Sequence, residues 1–400
     1  MLFDPTHHEQ LGAERWDEER IRTAIRRITT KTEEAFDPEA WWPIHPSDED
    51  GTAFDFYCVH GLYIGAAGVL WALHRLARAD AVQLARDYSP AAARLHDDFL
   101  RRAGGETPAV PSLWAGEAGI LLVADQLAPD PGRTSRLEAV IRENATNETR
   151  ELMWGSPGTM LAAAEMYART GDERWRARWA ESADWLWDEW RLDDELGCHL
   201  WRQHLYGKAA AYLGPAHGFA GNVAALAQLA TSDQLAELHA RAAQAARAFA
   251  VAEDGLANWP ALAGGDLLIQ GQGIRTQWCH GAPGVVSSLA GLALSDELDE
   301  LLLAGGELIW TAGPLAKGPS LCHGTAGNGF AFLALYRRTS DTLWLERARA
   351  FAVHGLAQVE SERERHGRGR FSLWTGDLGV AVFALQCIDG EPAFPTIDAW

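Results

Sequence analysis

A Gly-x-x-Gly pair followed by about ten mainly apolar residues recurs seven times along this chain, with its first glycine at Gly65, Gly116, Gly155, Gly218, Gly281, Gly324 and Gly376. This self-similarity constrains the fold more than any single motif. A unit of about 40 to 63 residues cannot bury its own apolar face and must stack on its neighbours. The apolar runs alternate with amphipathic stretches rich in Ala, Leu, Glu and Arg. These predict helices over Glu14 to Phe36, Pro90 to Ala103, Arg133 to Asn147, Asp172 to Arg191, Asp233 to Glu253, Asp296 to Ala312 and Asp341 to His366. In Asp172 to Arg191 the apolar Trp175, Trp179, Ala183 and Trp187 recur every four residues, one stripe with charged flanks. The runs behind the glycines are apolar nearly all round, which suits helices enclosed on both sides.

Seven enclosed and seven one-sided helices in alternation predict an all-α fold, an α/α toroid whose inner helices surround a central cavity. An open solenoid would carry polar outer faces on its end repeats, yet the copy at Gly376 is still apolar and lies near the C-terminus. Strand-like alternation is scarce, so residues 1–400 read as a single domain. Glycine at the crowded centre allows close backbone approach and unusual φ. The free N–H groups of each inner helix are expected to face one common space, where an anion or thiolate would be stabilised. All seven loops then gather at one face, and chemistry belongs there.

Composition narrows the class. A chain of 400 residues that is 47% hydrophobic can bury a large core, and a net charge of -20 argues against nucleic acid and against an anionic membrane surface. Five cysteines at irregular spacing do not read as a disulfide framework. The opening Met-Leu-Phe-Asp-Pro lacks a signal-peptide pattern, and no apolar run reaches membrane-spanning length. A cytoplasmic protein with reduced thiols is expected. Eighteen tryptophans imply a heavily packed core or a lined cavity.

The seven loops are chemically unequal. Copies five and six read Cys279-His280-Gly281-Ala-Pro-Gly284 and Cys322-His323-Gly324-Thr-Ala-Gly327, two instances of Cys-His-Gly-x-x-Gly. Zinc takes thiolate and imidazole readily, and three protein ligands with an open fourth position describe a catalytic site. Cys279 and Cys322 supply two ligands, and spacing does not choose between His280 and His323 for the third. His217 fills the same slot in copy four without a cysteine before it; an imidazole there can act as general acid or base, or sit as a satisfied helix-start histidine. Arg275 and Lys317, four and five residues before their cysteines, are either solvated loop charges or anchors for an anionic substrate or enolate. Glu151, four before Gly155, either caps the third inner helix or orients His217. Cys58, Cys198 and Cys387 read as structural thiols on apolar helices.

The chain resembles the lanthionine synthetase C-like (LanC-like) family over essentially its whole length. The resemblance rests on the seven Gly-x-x-Gly copies, on Gln277-Trp278-Cys279-His280-Gly281-Ala282-Pro283-Gly284, on Leu321-Cys322-His323-Gly324-Thr325-Ala326-Gly327-Asn328, on Ala216-His217-Gly218-Phe219-Ala220-Gly221 and on Phe371-Ser372-Leu373-Trp374. It implies an α/α toroid holding zinc through Cys279, Cys322 and His323, with His217 as acid/base and Arg275 in the active site. The family's peptide cyclases carry an aspartate near that histidine; Glu151 is the best-placed counterpart and differs by one methylene. Lys317 and its surrounding run are similar to the stand-alone members that use glutathione. The activity implied is zinc-promoted addition of a thiol, from a peptide cysteine or glutathione, to dehydroalanine or dehydrobutyrine in a peptide or protein. No fused dehydratase domain is expected, so a separate dehydratase or a kinase would set up the substrate. Two other readings are a glycosidase, needing two carboxylates from among Glu151 and the loop residues Glu117 and Asp377, and a metal-stabilised peptide-binding scaffold.

Overall fold

The computed structural model describes residues 1–49, 59–103, 110–205, 207–264 and 273–400, with Ala103 as backbone only. Among them are fourteen α-helices in the predicted alternation. The inner set is α2 (Ala66–Arg78), α4 (Glu117–Leu127), α6 (Ser156–Thr170), α8 (Phe219–Ala227), α10 (Ala282–Leu289), α12 (Thr325–Thr339) and α14 (Asp377–Asp389). The outer set is α1 (Glu18–Glu34), α3 (Ser89–Ala103), α5 (Pro131–Glu143), α7 (Glu173–Asp188), α9 (Ser232–Phe249), α11 (Asp296–Ala312) and α13 (Thr342–His366). Each inner helix touches the next, and α14 closes on both α2 and α1. Closure therefore removes the exposed apolar ends that an open stack would have to cap.

Burial follows the two patterns. In α14 every residue from Asp377 to Cys387 is buried, whereas α9 buries only the stripe Leu238, Ala242, Ala245 and Ala246. Outer helices start on side-chain caps, as with Asp17, Asp130, Asp172, Ser295 and Asp341. Inner helices all start on glycine with no side-chain cap. In five of the seven the first N–H returns to the loop seven residues earlier, Ala66 to Val59, Glu117 to Val110, Phe219 to Tyr212, Thr325 to Gly318 and Asp377 to Arg370, and in α10 Ala282 N donates to Asn258 Oδ1. The expectation that these N–H groups stay free for an anion is corrected for these six helices, where the loop backbone or Asn258 takes the first of them.

That fold-back explains the glycines. A Cβ on the second glycine of each copy would meet the carbonyl oxygen six residues earlier, at 2.3 Å for Gly68, 1.9 Å for Gly119 and Gly284, and 1.7 Å for Gly327. Close approach is the common reason, and unusual φ is not. Of the seven first glycines only Gly281 has positive φ, at 114°. Gly327→Ala is expected to destabilise the fold by about 3 kcal/mol or more, because the clash is with backbone and has no flexible partner to yield. Denaturant unfolding, read as a lower midpoint at unchanged slope, checks it.

Among the described residues are three short antiparallel hairpins, of which the first and third correct predicted helix ends: β1 (Arg191–Asp193) with β2 (Cys198–Leu200), β3 (Gln203–Leu205) with β4 (Lys208–Ala210), and β5 (Val251–Glu253) with β6 (Leu256–Asn258). The helix begun at Asp172 stops at Asp188, and the one expected to reach Glu253 stops at Phe249. Asp254 and Gly255 both take positive φ, the backbone of a two-residue hairpin turn that the helical periodicity masks. Cys198 accordingly lies buried on β2, not on a helix, while Cys387 is buried in α14; Cys58 lies outside the described residues.

The axis is not an open cavity at its loop end. Trp114, Trp278, Trp374 and Phe394 are buried there, with ring centroids 4.4 Å apart for Trp114–Trp374 and 4.9 Å for both Trp278–Trp374 and Trp278–Phe394. The tryptophan excess is thus largely packing. No helix among the described residues is long and apolar enough to cross a membrane.

Candidate active site

The residue two before the first glycine occupies one structural slot in every copy: Tyr63, Trp114, Met153, Ala216, Cys279, Cys322 and Trp374. Among these, backbone N–H groups donate to the carbonyl of the same slot in the next copy around the ring. Tyr63 donates to Trp114, Met153 to Ala216, Cys279 to Cys322, Cys322 to Trp374 and Trp374 to Tyr63. The consequence is that Cys279 and Cys322 become nearest neighbours although 43 residues separate them in sequence.

Both cysteines are buried and free, and their thiols are hydrogen-bonded to each other. The contact from Cys322 pulls the Cys279 thiol down to about 7, with His217, the Gln277 amide and Lys317 adding to the effect. Gln277 Nε2 donates to Cys279 Sγ over 2.9 Å. Tyr63 donates its hydroxyl to Cys322. Neither Gln277 nor Tyr63 was singled out from sequence. Tyr63 sits in a copy whose residues before the first glycine read as mostly apolar or small, and only its slot, equivalent to the cysteines, marks it.

His217 stands one copy away. Its Nδ1 lies 2.9 Å from Glu151 Oε2, and the Glu151 carboxylate, fully buried, also accepts from Met153 N at 2.9 Å and Trp154 N at 2.6 Å. Glu151 thus orients His217 and braces the loop ahead of α6; it does not cap that helix. Burial alone would lower the His217 pKa, but the hydrogen bond and charge of Glu151, with Cys279, hold it above 6.5. His280 faces His217, with ring centroids 6.0 Å apart, and its buried Nδ1 has no hydrogen-bond partner. Burial and the charge of His217 push His280 down to about 3. The two imidazoles are therefore split, one disposed to carry a proton and one kept neutral.

Arg275 and Lys317 lie exposed on the rim. Together with Asp4, His7, His8 and Gln277 they line a cavity of about 510 Å³ beside the thiol pair. The N-terminal segment is pinned there by His8 Nδ1 to Gly313 O at 2.9 Å, Ala316 N to His7 O at 3.0 Å and Asn258 Nδ2 to Leu2 O at 2.8 Å.

For a metal, the donor chemistry fits while the full set is not gathered. Two adjacent buried thiols suit zinc, and burial, with Lys317 and Arg370, drives His323 down to about 4, leaving the neutral imidazole a metal requires. Among the described residues, however, no three His, Cys, Asp or Glu side chains converge as a ready-made cluster. Glu117 and Asp377 do not serve a second chemistry here. Each is the first residue of its inner helix, not a loop residue, and turns to the outer layer, Glu117 to His96 at 2.8 Å and to Arg136, Asp377 to Arg363 at 2.9 Å.

A closed α/α toroid whose loop face joins a buried thiol pair to an imidazole–carboxylate dyad defines the class of protein. A family model described as lanthionine synthetase C-like protein matches residues 60–399, and the chain belongs to that family. It is 36% identical over 137 residues to glutathione S-transferase LANCL1 of Danio rerio, covering 31% of this chain and 32% of that protein. To LanC-like protein GCL1 of Arabidopsis thaliana it is 38% identical over 113 residues, 26% of this chain and 25% of that one. The alignments thus span about a third or less of these relatives. The solved structure of nisin cyclase shares the fold at a TM-score of 0.60 and 17% identity, over 92% of this chain and 94% of that one.

Proposed function

We propose that this protein adds a thiol to the β-carbon of dehydroalanine or dehydrobutyrine in a peptide or protein, forming a thioether. The observation that carries the reading is that consecutive repeats bring the Cys279–Cys322 thiol pair within electrostatic reach of His217, which Glu151 holds. The names of the relatives agree with it, one a peptide cyclase and one a glutathione transferase. Cys279, Cys322 and His323 would hold zinc, which when bound supplies a positive centre that keeps a substrate thiol in its thiolate form.

The residues of the chain do the rest. His217 receives the proton that leaves the substrate thiol, and Glu151 holds the imidazolium in place. The sulfur lone pair forms the S–Cβ bond as the C=C π bond breaks, and the electron pair moves onto the carbonyl as an enolate. Arg275 and Lys317, at the rim beside the thiol pair, balance that charge. His217 then returns its proton to the α-carbon, so proton and electron counts close without a redox partner. The cavity they line accepts the anionic ends of a peptide or of glutathione.

Incubation of the zinc-loaded protein with a dehydroalanine peptide tests this, once with glutathione and once with a cysteine inside the peptide. Mass spectrometry is expected to show the glutathione adduct in the first arm, or loss of the free thiol at unchanged mass in the second. No thioether in either arm sinks the reading, and the productive arm identifies the thiol.

A further inference from the structure

We propose that Tyr63 is a positioning residue of the thiolate site, its hydroxyl fixing the orientation and electron density of the Cys322 sulfur. The mechanism above leaves Tyr63 unused, and its placement is specific. It occupies in the first copy the slot that the cysteines occupy in the fifth and sixth, and the ring of backbone hydrogen bonds carries it to Cys322. Cys322 N donates to Trp374 O and Trp374 N to Tyr63 O, both over 3.0–3.1 Å, while Tyr63 N is itself tied to Trp114 O at 2.8 Å. The phenol ring is buried and stacks on Trp374, centroids 5.7 Å apart and planes inclined by 17°. Held on both sides, the hydroxyl reaches Cys322 Sγ.

A phenol at neutral pH is a donor, and a thiolate is an acceptor without a proton of its own. The O–H···S bond therefore draws electron density from the sulfur. It also restrains the cysteine rotamer, as carboxylates do for histidine ligands elsewhere. Gln277 does the same for Cys279, whose Sγ accepts its amide at 2.9 Å. Each thiol of the pair thus has one side-chain donor of its own.

This inference rests on the zinc reading, and the experiment separates the two. In the full-length protein, Tyr63→Phe removes only the hydroxyl. Zinc affinity, measured by competition with a chromophoric chelator, is expected to fall about 10- to 100-fold. In the cobalt(II)-substituted protein the thiolate-to-metal absorption band is expected to move to lower energy, because a sulfur without its donor releases electron density more easily. Tyr63→3-fluorotyrosine carries a stronger donor and is expected to move the band the other way; it supplies the test if the phenylalanine variant does not fold. Unchanged zinc affinity and an unmoved band overturn the role of Tyr63 alone. Wild-type protein that takes up no zinc overturns the metal reading and this inference with it.

Discussion

Cys322→Ala is expected to lose bound zinc and thioether formation together. Structural zinc in small sites binds with about 10–16 kcal/mol, so each of three or four ligands accounts for about 4 kcal/mol, or about 10³-fold in affinity. Removing Cys322 also strips Cys279 of the hydrogen bond that chiefly lowers its pKa, leaving the remaining thiol less ready to ionise. The damage therefore exceeds one ligand. Metal analysis and turnover with the dehydroalanine peptide read the two losses on one sample. Cys387→Ala serves as the control, for that thiol is buried near the C-terminal end of α14, whereas the site lies at the starts of the inner helices. It should keep its zinc and its rate while unfolding somewhat earlier. A zinc-free Cys322→Ala protein that still forms thioether at the wild-type rate defeats the proposal.

The ring was legible because its cause is local and repeated. Each Gly-x-x-Gly exists to let a loop fold back on the helix it starts, so the same short pattern had to appear wherever an inner helix begins. The pairing of Cys279 with Cys322 followed from that register. What periodicity hid were features that depend on a single neighbour across the ring. The hairpins after α7 and α9 follow amphipathic helices whose pattern runs on into strands without a break. Tyr63 joins the site through a slot equivalence that matters only once the ring is closed and copy one stands near copy six. The free N–H groups expected at the inner helix starts belong to the same category. A helix start ordinarily leaves them open, and here the preceding loop returns to close them.

His217→Ala is expected to leave zinc in place and to lower the rate about 10²- to 10⁴-fold, the usual loss when a positioned acid/base is removed. His217 belongs to a different copy from the thiols and contributes no ligand in the proposed set, so metal and rate should separate in this variant where they fall together in Cys322→Ala. Loss of neither reduces His217 to a structural histidine. The pH dependence follows from the raised pKa. With a folded value above the ordinary 6.5, the proton on His217 stabilises the native chain fully below about 6.5, and that contribution disappears as pH rises through the folded value. Return of the proton to the α-carbon should weaken along the same limb. Glu151→Gln keeps the size of the side chain but removes the charge that offsets burial and turns one accepting oxygen into a donor, so the limb should move to lower pH while zinc content stays the same. An unmoved limb in Glu151→Gln would show that the proton used in the reaction is not the one His217 and Glu151 hold between them.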